Sequence, residues 1–349
     1  MTILAIETSC DETAAAVVCG PRDVRSNVVY SQVALHGPYG GVVPEIACRC
    51  HVEVLPDVIV RALAEAGVGW GDIDEVAVTY GPGLASSLLV GLSAAKGLAL
   101  RLNRPLCAVN HLQAHIHSAF MSDNAPEQGD VCPFLSLVVS GGHTCVIRVD
   151  RPGAYRMLGR TIDDAAGEAF DKGAKLLGLG YPGGPVMDRT AKSGRRDAIS
   201  FPRGRVRQDR MVEDGLQTDL CFSFSGLKTS LLHHLQRHPL AAGDAAALAD
   251  VVASYQEAIV ESLVSRTRKA LRGLRALAVG GGVSLNSRLR EALQQMAAEE
   301  GVRLLLSPPK YCGDNAAMIG AVAAAGGGVR GAAALAVDAE PNLDAAAAS

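Results

Sequence analysis

Hydrophobic positions near the start of the chain form two short runs, separated by a polar segment. Residues 4–7 and 14–18 are mainly apolar and have the length of β-strands, whereas residues 8–13 carry hydroxyl and acid side chains. Two apolar runs around a polar turn are typical of a β-hairpin. The pattern therefore predicts a hairpin with an acidic tip.

The same pattern returns about 130 residues later in the chain. Residues 134–139 and 144–149 are again apolar runs of strand length, and residues 140–143 between them contain a Gly-Gly pair. A glycine pair between two strands favours a tight hairpin turn. Two hairpins of one kind indicate a duplicated domain.

Helical and strand patterns alternate after each hairpin. We predict helices at residues 52–66, 84–100 and 285–299, and buried strands at residues 75–79 and 276–279. Strands that alternate with helices are typical of an α/β protein.

The composition agrees with a globular α/β enzyme. The chain has 349 residues, so we expect two domains or one large domain. The first residues form no basic leader and no apolar run has the length of a membrane span, so we expect neither a secretory signal nor a membrane segment. Nine scattered cysteines without a CxxC pair favour a reducing compartment, which we take to be the cytoplasm.

The charge of the chain places any nucleic-acid contact in a local patch. A net charge of −3 provides no overall attraction for RNA. Residues 195–210 are the best candidate because they hold six arginines and two aspartates: Arg195, Arg196, Arg203, Arg205, Arg207 and Arg210, with Asp197 and Asp209. A solvated surface loop is the alternative for such a charge run.

Two histidines have the spacing of a metal-binding pair. On a helix, His111 and His115 lie four residues apart on one face, whereas His117 faces elsewhere. A structural pair of histidines is the alternative, because this spacing alone is a weak motif. A third ligand decides between the two interpretations.

Asp314 is the candidate for that third ligand. It follows a glycine at the start of an Ala-rich helix, where capping the helix is its alternative role. Two histidines and one carboxylate suit Fe(II), with zinc also possible, and leave coordination positions open for substrate. Cys312 can in principle ligate as well, although a buried thiol is the default for it.

Glycine-rich turns indicate a phosphate-binding function. They lie at residues 81–83, 140–142, 183–184 and 280–282. Backbone N–H groups in such turns can bind phosphate, and several together favour a nucleotide ligand, although each one alone can be only a tight turn. The chain has no P-loop motif, and Leu112 stands where an HExxH metalloprotease needs its Glu.

Taken together, these segments resemble the TsaD family over nearly the whole chain. The matching motifs are ETSCDET at 7–13, GGVVPE at 40–45, GPGL at 81–84, NHLQAH at 110–115, VSGGHT at 139–144, DDAAGEAFDK at 163–172, YPGG at 181–184, FSFSGLKT at 222–229 and DNAA at 314–317. Two positions depart from the family pattern. Gly313 stands where the family usually has Thr, and we expect this glycine to loosen the loop that holds Asp314. Cys48 and Cys50 stand in a segment that in the family commonly reads Ala-Ser-Arg.

The resemblance implies an α/β fold of the actin, Hsp70 and sugar-kinase type, with two RNase-H-like domains around a nucleotide cleft. We expect the first domain to cover residues 1–110 and to be completed by a helix at 315–330. The second domain covers residues 111–314 and contains insertions. We expect residues 331–349, which are Ala-rich, to form a flexible tail.

The resemblance also implies the reaction. Members of the family transfer a threonylcarbamoyl group from threonylcarbamoyl-AMP to N6 of adenosine 37 in tRNAs that read ANN codons, which forms t6A and AMP. Implied partners are tRNA, a TsaB-like paralogue and a TsaE-like ATPase, and the implied cofactor is one Fe2+ per subunit, with Zn2+ possible. The alternatives are an ATP-dependent kinase or ATPase of the same fold and a metalloprotease, which here lacks its catalytic Glu.

The family assigns roles to matching residues of this chain. Metal ligation falls to His111, His115 and Asp314. Substrate binding falls to Val138, Val139, Ser140, Gly141, Gly142, Asp171, Gly184, Asp188 and Asn286. From the chemistry, an exocyclic amine must lose a proton, so we add Asp11 and Glu12 on the first hairpin tip as candidate bases. Turn formation is the alternative for Asp11.

Overall fold

The computed structural model describes residues 1–204, 206, 212 and 215–346. The chain divides into two compact units. The first contains Met1–Asp130, Arg151–Tyr155 and Ser307–Ser349, and the second contains Val131–Asp150 and Arg156–Leu306. The predicted domain boundaries at residues 110 and 314 stay predictions.

The sheet of the first unit begins with the predicted hairpin. Its described strands are β1 (Ile3–Glu7), β2 (Glu12–Val18), β3 (Val24–Ser31), β4 (Glu75–Gly81), β5 (Leu106–Asn110) and β11 (Val329–Arg330), in the order β11-β5-β4-β1-β2-β3. Strand β1 pairs antiparallel with β2 and parallel with β4, and β4 pairs parallel with β5. The carboxyl ends of β1, β4 and β5 therefore lie side by side at one edge.

Helices cover both faces of this sheet, which explains why its central strands are apolar at successive positions. The helices of the first unit are α1 (Val33–His36), α2 (Pro44–Ala66), α3 (Ala85–Leu102), α4 (His111–Ser118), α10 (Ala316–Ala324) and α11 (Gly331–Ala336). Leu4 and Ile6 of β1 share a buried cluster with residues of α2 and α3. Ile3 and Ala5, on the opposite face, pack with residues of α10.

Helix α3 has the length and apolar composition of a membrane span, and one of its faces packs against the sheet. Leu88 and Leu92 are almost fully buried, and Leu92 packs with Ala95 in the cluster that α3 and α2 form over the sheet. Burial explains the apolar residues of this face, whereas Leu89 and Leu100 on the outer face are exposed.

The second unit repeats the hairpin and adds helices. Its strands are β6 (Phe134–Val139), β7 (Thr144–Arg151), β8 (Ala154–Arg160), β9 (Ala276–Gly280) and β10 (Arg303–Leu306), in the order β10-β9-β6-β7-β8. Its helices are α5 (Ala166–Leu176), α6 (Gly183–Ala191), α7 (Ser225–Arg237), α8 (Ala245–Ala270) and α9 (Ser287–Glu300). Two sheets with helices confirm the predicted α/β class.

Most predicted elements are present with longer bounds. Helix α2 begins at Pro44 rather than at residue 52, because a proline in the first turn has no N–H to lose and its fixed φ suits a helix start. Strand β2 begins at Glu12, which pairs with Ser31 of β3. The second acid of the predicted polar turn therefore belongs to a strand.

The Ala-rich end of the chain packs against the first unit. The Asn110 and Gln113 side chains donate hydrogen bonds to the carbonyl groups of Asp344 and Ala345, at 2.9 and 3.0 Å. Ala334 and Ala345 are fully buried. The prediction of a flexible tail concerns motion and stays a prediction.

Candidate functional site

The two predicted histidine ligands lie on a short helix that begins where strand β5 ends. The Asn110 side chain caps this helix by accepting hydrogen bonds from the N–H groups of Leu112 and Gln113, at 2.9 and 3.3 Å. One helical turn separates His111 from His115, and both imidazoles are buried. The cap thus fixes the start of the helix at the first ligand.

Asp314 reaches the same point from the loop before helix α10. Its Oδ1 atom lies 3.1 Å from His115 Nε2 and 3.5 Å from His111 Nε2. The alternative role of Asp314 as a helix cap is wrong, because Asn315 caps α10 by accepting a hydrogen bond from the N–H of Met318. Asp314 therefore lies beside both histidines without serving as the helix cap.

A second carboxylate, Glu7, holds His111 from the other side. Its Oε2 atom accepts hydrogen bonds from His111 Nδ1 at 3.0 Å and from the Thr79 hydroxyl at 2.6 Å, and its Oε1 accepts one from the N–H of Ser9 at 2.5 Å. A carboxylate on one imidazole nitrogen leaves the other nitrogen for a metal. This role of Glu7 was not predicted from the sequence, although an acid at the end of an apolar strand is a visible signal.

The carboxylates around the two histidines favour a positive charge at this point. Burial by itself lowers the pKa of His111, but Glu7 and Asp314 outweigh burial and raise the pKa to about 9. Burial and the nearby His111 charge lower the pKa of His115. A positive charge is thus stabilised between the Nε2 atoms and Asp314.

The donor set fits a divalent transition metal. The ligand atoms of His111, His115 and Asp314 lie within 4.8 Å of one another, and within the described residues they form the group with metal-binding geometry. Two imidazoles and one carboxylate on one face match the ligand set of Fe(II) sites with open positions. The geometry is compatible with a metal cofactor.

Neighbouring residues that were weighed as ligands have other partners. Cys312 is buried and its thiol donates to the carbonyl groups of Ser307 and Pro308, at 3.3 and 3.4 Å, as expected for a structural thiol. His117 packs beside Phe120, with 6.4 Å between ring centroids, and burial lowers its pKa to about 4.

The backbone at Gly313 has room for a side chain, so the effect of a glycine on this loop stays a prediction. A Cβ atom there would meet no atom within 4 Å, and its φ angle is not in the left-handed region. Asn315 donates a hydrogen bond to the Gly313 carbonyl at 2.8 Å, which ties the loop to the helix cap.

The candidate bases Asp11 and Glu12 lie on the first hairpin. Asp11 is buried and its carbonyl accepts a hydrogen bond from the N–H of Gln32 at 3.1 Å. Burial, Asp11 and Asp314 raise the pKa of the half-buried Glu12 well above its usual range, which favours its protonated form. Glu12 is thus close enough to the Asp314 carboxylate to respond to its charge.

In the second unit, the predicted phosphate turn lies at the tip of the β6–β7 hairpin. The Ser140 N–H donates to the His143 carbonyl at 2.7 Å, and the Ser140 hydroxyl accepts from the His143 N–H at 3.0 Å. A Cβ on Gly141 or Gly142 would meet no protein atom within 4 Å. The space beside these two glycines is therefore free of protein atoms. Val138 and Val139, which precede them, are fully buried in strand β6.

Glycines also let two other segments approach strand β6. Gly281 has a φ of +92°, and a Cβ there would collide with the Val139 carbonyl. At the start of helix α5, a Cβ on Gly167 would lie 2.6 Å from the Ser140 carbonyl. Both segments therefore contact the end of β6 backbone to backbone.

The remaining predicted substrate residues lie in the second unit and have protein partners. Asp171 accepts a hydrogen bond from the Gly183 N–H at 2.7 Å, and a Cβ on Gly184 would meet no atom within 4 Å. Asp188 accepts a hydrogen bond from the Ser287 hydroxyl at 2.8 Å. Asn286 accepts one from the Leu289 N–H at 2.9 Å through Oδ1 and donates one to Gln256 at 2.7 Å through Nδ2. Asp171, Asp188 and Asn286 thus order helix starts, whatever else they bind.

The arginine-rich segment is described only in part, since Arg205, Arg207 and Arg210 lie outside the described residues. The other three arginines are paired with acids: Arg195 with Asp250 at 2.7 Å, Arg196 with Glu291 at 3.0 Å, and Arg203 with Glu261. These pairs reduce the positive charge that the three present.

Comparison with known proteins gives a consistent result. The family model described as "TsaD: tRNA N6-adenosine threonylcarbamoyltransferase" matches residues 23–321. A protein of that name from Trichlorobacter lovleyi is 53% identical over 321 residues, which cover 91% of this chain and 90% of the relative. Another from Syntrophus aciditrophicus is 52% identical over 326 residues, which cover 92% and 91%.

Solved structures confirm the predicted fold type. Component A of (R)-2-hydroxyglutaryl-CoA dehydratase from Acidaminococcus fermentans superposes with a TM-score of 0.54, at 15% identity, over 93% of this chain and 98% of that one. HypF from T. kodakarensis superposes with a TM-score of 0.56, at 14% identity, over 93% of this chain and 47% of that one. At such low identity the likeness shows the actin, Hsp70 and sugar-kinase fold alone.

The first prediction concerns the ligand set. We expect wild-type protein to bind about one Fe or Zn per chain, and the double variant His111→Ala and His115→Ala to lose it, because one carboxylate cannot hold the ion alone. Metal content after desalting measures this. His234 and His238 repeat the four-residue spacing on the second unit, so His234→Ala with His238→Ala is the matched control. Unchanged metal content in the first variant would refute the ligand assignment.

The second prediction concerns Gly142 and Gly184, where a Cβ atom would meet no protein atom within 4 Å. Gly142→Ala and Gly184→Ala should leave thermal stability unchanged, since the added methyl group meets no protein atom. If AMP passes over these positions, the methyl group should weaken its binding by about 1–3 kcal/mol through overpacking. Titration calorimetry with AMP measures the loss. Gly71→Ala in the first unit, where a Cβ is equally free, should bind AMP as wild type does. Equal affinities throughout would contradict the placement.

Proposed function

This chain belongs to the TsaD family of tRNA N6-adenosine threonylcarbamoyltransferases. We propose that the His-His-Asp group of the first unit and the glycine-rich turns of the second unit each contribute to the transfer reaction. The enzyme transfers a threonylcarbamoyl group to N6 of adenosine in tRNA, which forms t6A. In our proposal the donor is threonylcarbamoyl-AMP, the acceptor is adenosine 37 of tRNAs that read ANN codons, and AMP leaves. The buried His-His-Asp group is the observation that carries the proposal of metal assistance.

His111, His115 and Asp314 would hold one Fe2+ per subunit, with Zn2+ as the alternative ion. A bound ion would orient substrate oxygen atoms as a Lewis acid and lower the pKa of nearby carboxyl groups. Glu7 supports this role because it accepts a hydrogen bond from the Nδ1–H of His111 and so keeps Nε2 directed at Asp314.

The second unit would bind the adenylate. The open tip formed by Ser140, Gly141 and Gly142 offers backbone N–H groups to a phosphate. Gly184 lies at the start of helix α6, and the Asp171 carboxylate of helix α5 reaches this point by accepting a hydrogen bond from the Gly183 N–H. Polar atoms of the ribose or acyl group are candidates for contact there. Holding both reactants in one geometry accounts for a large part of catalysis in such a transfer.

Asp11 and Glu12 are proposed to accept the proton that the adenine amine loses. A carboxyl group with a raised pKa is a better proton acceptor once it is ionised, and the pKa of Glu12 is raised by burial and by Asp11. Asp11 is buried beside it and supplies the second carboxylate.

The proposed setting is the cytoplasm, where tRNA is modified, and the proposed partners are tRNA, a TsaB-like paralogue and a TsaE-like ATPase. A face for the paralogue is offered by the outer sides of helices α2 and α3. Leu89, Ser93, Gly97 and Leu100 follow one another at helical spacing on the outer side of α3, and the leucines are 52% and 69% exposed. Small residues between leucines allow another helix to pack closely.

Mass analysis of tRNA nucleosides tests the reaction. The wild-type protein, incubated with tRNA, threonine, bicarbonate, ATP and the partner proteins, should produce t6A. Asp11→Asn and Glu12→Gln should each lower kcat by roughly 100- to 10,000-fold if a general base is lost, while metal content stays that of wild type. Asp123→Asn, which removes an exposed acid of the same unit, is the control. Absence of t6A with wild-type protein would refute the function itself.

Negative charges placed on the outer side of helix α3 test whether this surface binds the TsaB-like paralogue. Leu89→Glu with Leu100→Glu should weaken binding to the TsaB-like partner more than about tenfold, because two exposed apolar contacts are replaced by carboxylates that must be desolvated. Leu232→Glu, at a 39% exposed leucine of the second unit, is the control. Analytical ultracentrifugation of the mixed proteins measures both, and equal association of the two variants would rule out this face.

Binding of tRNA by the arginine-rich segment is tested by its salt dependence. Arg203→Glu, Arg205→Glu and Arg207→Glu together should weaken binding and flatten the plot of log affinity against log salt by roughly 0.7–0.9 per lost phosphate contact. Arg272→Glu with Arg275→Glu, at exposed arginines elsewhere in the second unit, is the control. A slope that does not change would show that these arginines are solvated surface.

A further inference from the structure

A line of buried polar side chains leads away from the acidic hairpin tip. At its near end, His51 Nε2 lies 2.9 Å from the Cys10 carbonyl, one residue before Asp11. His51 Nδ1 lies 2.7 Å from the Thr13 hydroxyl, one residue after Glu12. The His51 imidazole therefore contacts the residues directly before and after the candidate bases Asp11 and Glu12.

The line continues to the segment before helix α2. Gln32 Nε2 lies 3.4 Å from the Thr13 hydroxyl, and Gln32 Oε1 lies 3.2 Å from His36 Nε2. His36 Nδ1 accepts a hydrogen bond from the Val43 N–H at 3.3 Å. The side chains of His36, Gln32, Thr13 and His51 are fully buried, and we call them the buried polar network.

The two ends of the network place one proton on each imidazole. The Val43 N–H can only donate, so His36 Nδ1 is an acceptor and His36 Nε2 carries the proton. The Cys10 carbonyl can only accept, so His51 Nε2 carries a proton. Burial lowers the pKa of His51 and favours its neutral ring, in which Nδ1 accepts from the Thr13 hydroxyl.

The surroundings of His51 agree with a neutral ring. Burial is the largest influence and lowers the pKa of His51, and the nearby His36 lowers it further, whereas the Cys10 carbonyl, Glu7 and Asp11 act in the opposite direction. A buried, fully hydrogen-bonded network restrains the groups at its ends, because any displacement leaves a polar atom without a partner.

We propose that the buried polar network positions the acidic tip of the β1–β2 hairpin for the transfer reaction, with His51 as its positioning residue. The inference rests on the proposed roles of Asp11 and Glu12. The backbone adds a further link, since the Gln32 N–H donates to the Asp11 carbonyl at 3.1 Å. Residues 37–43, which hold the glycine-rich part of the GGVVPE motif, are thereby coupled to the hairpin tip.

Replacement of His51 separates positioning from simple packing. His51→Phe keeps the ring but removes both hydrogen bonds, and we expect kcat to fall roughly 10- to 100-fold through misplacement of the tip, with little change in KM for tRNA. His51→Gln retains one donor and one acceptor and should recover kcat to within about threefold of wild type. Gln32→Met breaks the network at a residue whose side chain contacts neither Asp11 nor Glu12 in the hydrogen bonds described, and should resemble His51→Phe.

The control is Ser26→Ala. Ser26 is buried and donates a hydrogen bond across to the Ala62 carbonyl of α2 at 2.7 Å, in the same unit but outside the network. Metal content and thermal unfolding are measured for every variant, and we expect Ser26→Ala to keep its kcat. A wild-type kcat in His51→Phe, or an equal loss in His51→Gln, would overturn the proposal.

A spectroscopic readout keeps the proposal testable if a variant does not fold. Imidazole nitrogen chemical shifts of the wild-type protein should show His36 and His51 as neutral rings with the proton on Nε2. A proton on Nδ1 of either ring would overturn the network whatever the activity. If Asp11→Asn and Glu12→Gln keep the wild-type kcat, the base assignment fails and this inference with it. If those two lose activity and His51→Phe does not, this inference alone fails.

Discussion

One buried carboxylate, Glu7, organises the first unit. It ends strand β1, has no exposed surface, and is stabilised by Thr79 of the neighbouring strand β4 and by His111, which follows the next strand, β5. A buried charge without partners costs several kcal/mol, so these three strand ends must meet for the unit to be stable. Because the strands are parallel neighbours, their carboxyl ends meet at one edge of the sheet, and the candidate metal site is built there.

A second histidine pair shows why the sheet edge matters more than the spacing. His234 near the end of helix α7 and His238 directly after it repeat the four-residue spacing, and their ring centroids lie 5.1 Å apart. No carboxylate joins them in a metal-binding group within the described residues. Burial and the neighbouring His238 lower the pKa of His234, so the pair lacks the acidic surroundings that stabilise a cation. The four-residue spacing of two histidines forms a candidate metal site only where Glu7 and Asp314 supply negative charge.

The second unit uses the same hairpin for a different purpose. Its tip is held by Ser140 and left open by Gly141 and Gly142, while Gly167 and Gly281 allow two other segments to contact the end of strand β6. The first hairpin tip carries acids and is tied to the buried polar network. One supersecondary unit therefore provides an acidic tip in one unit and an open backbone tip in the other, according to which side chains occupy the turn.

The sequence by itself determined the elements, the pair of hairpins and the candidate pair His111 and His115, because strand alternation and helical spacing are local properties. Asp314 was a candidate third ligand that the family resemblance supported. Only the tertiary structure decided that Glu7 supports His111, that Asn315 rather than Asp314 caps helix α10, and that His51 reaches the Cys10 carbonyl. These contacts join residues from separate strands and helices, and their partners depend on sheet order and burial. A linear pattern does not contain that information, because a side chain's charge and hydrogen bonds depend on neighbours brought together by the fold.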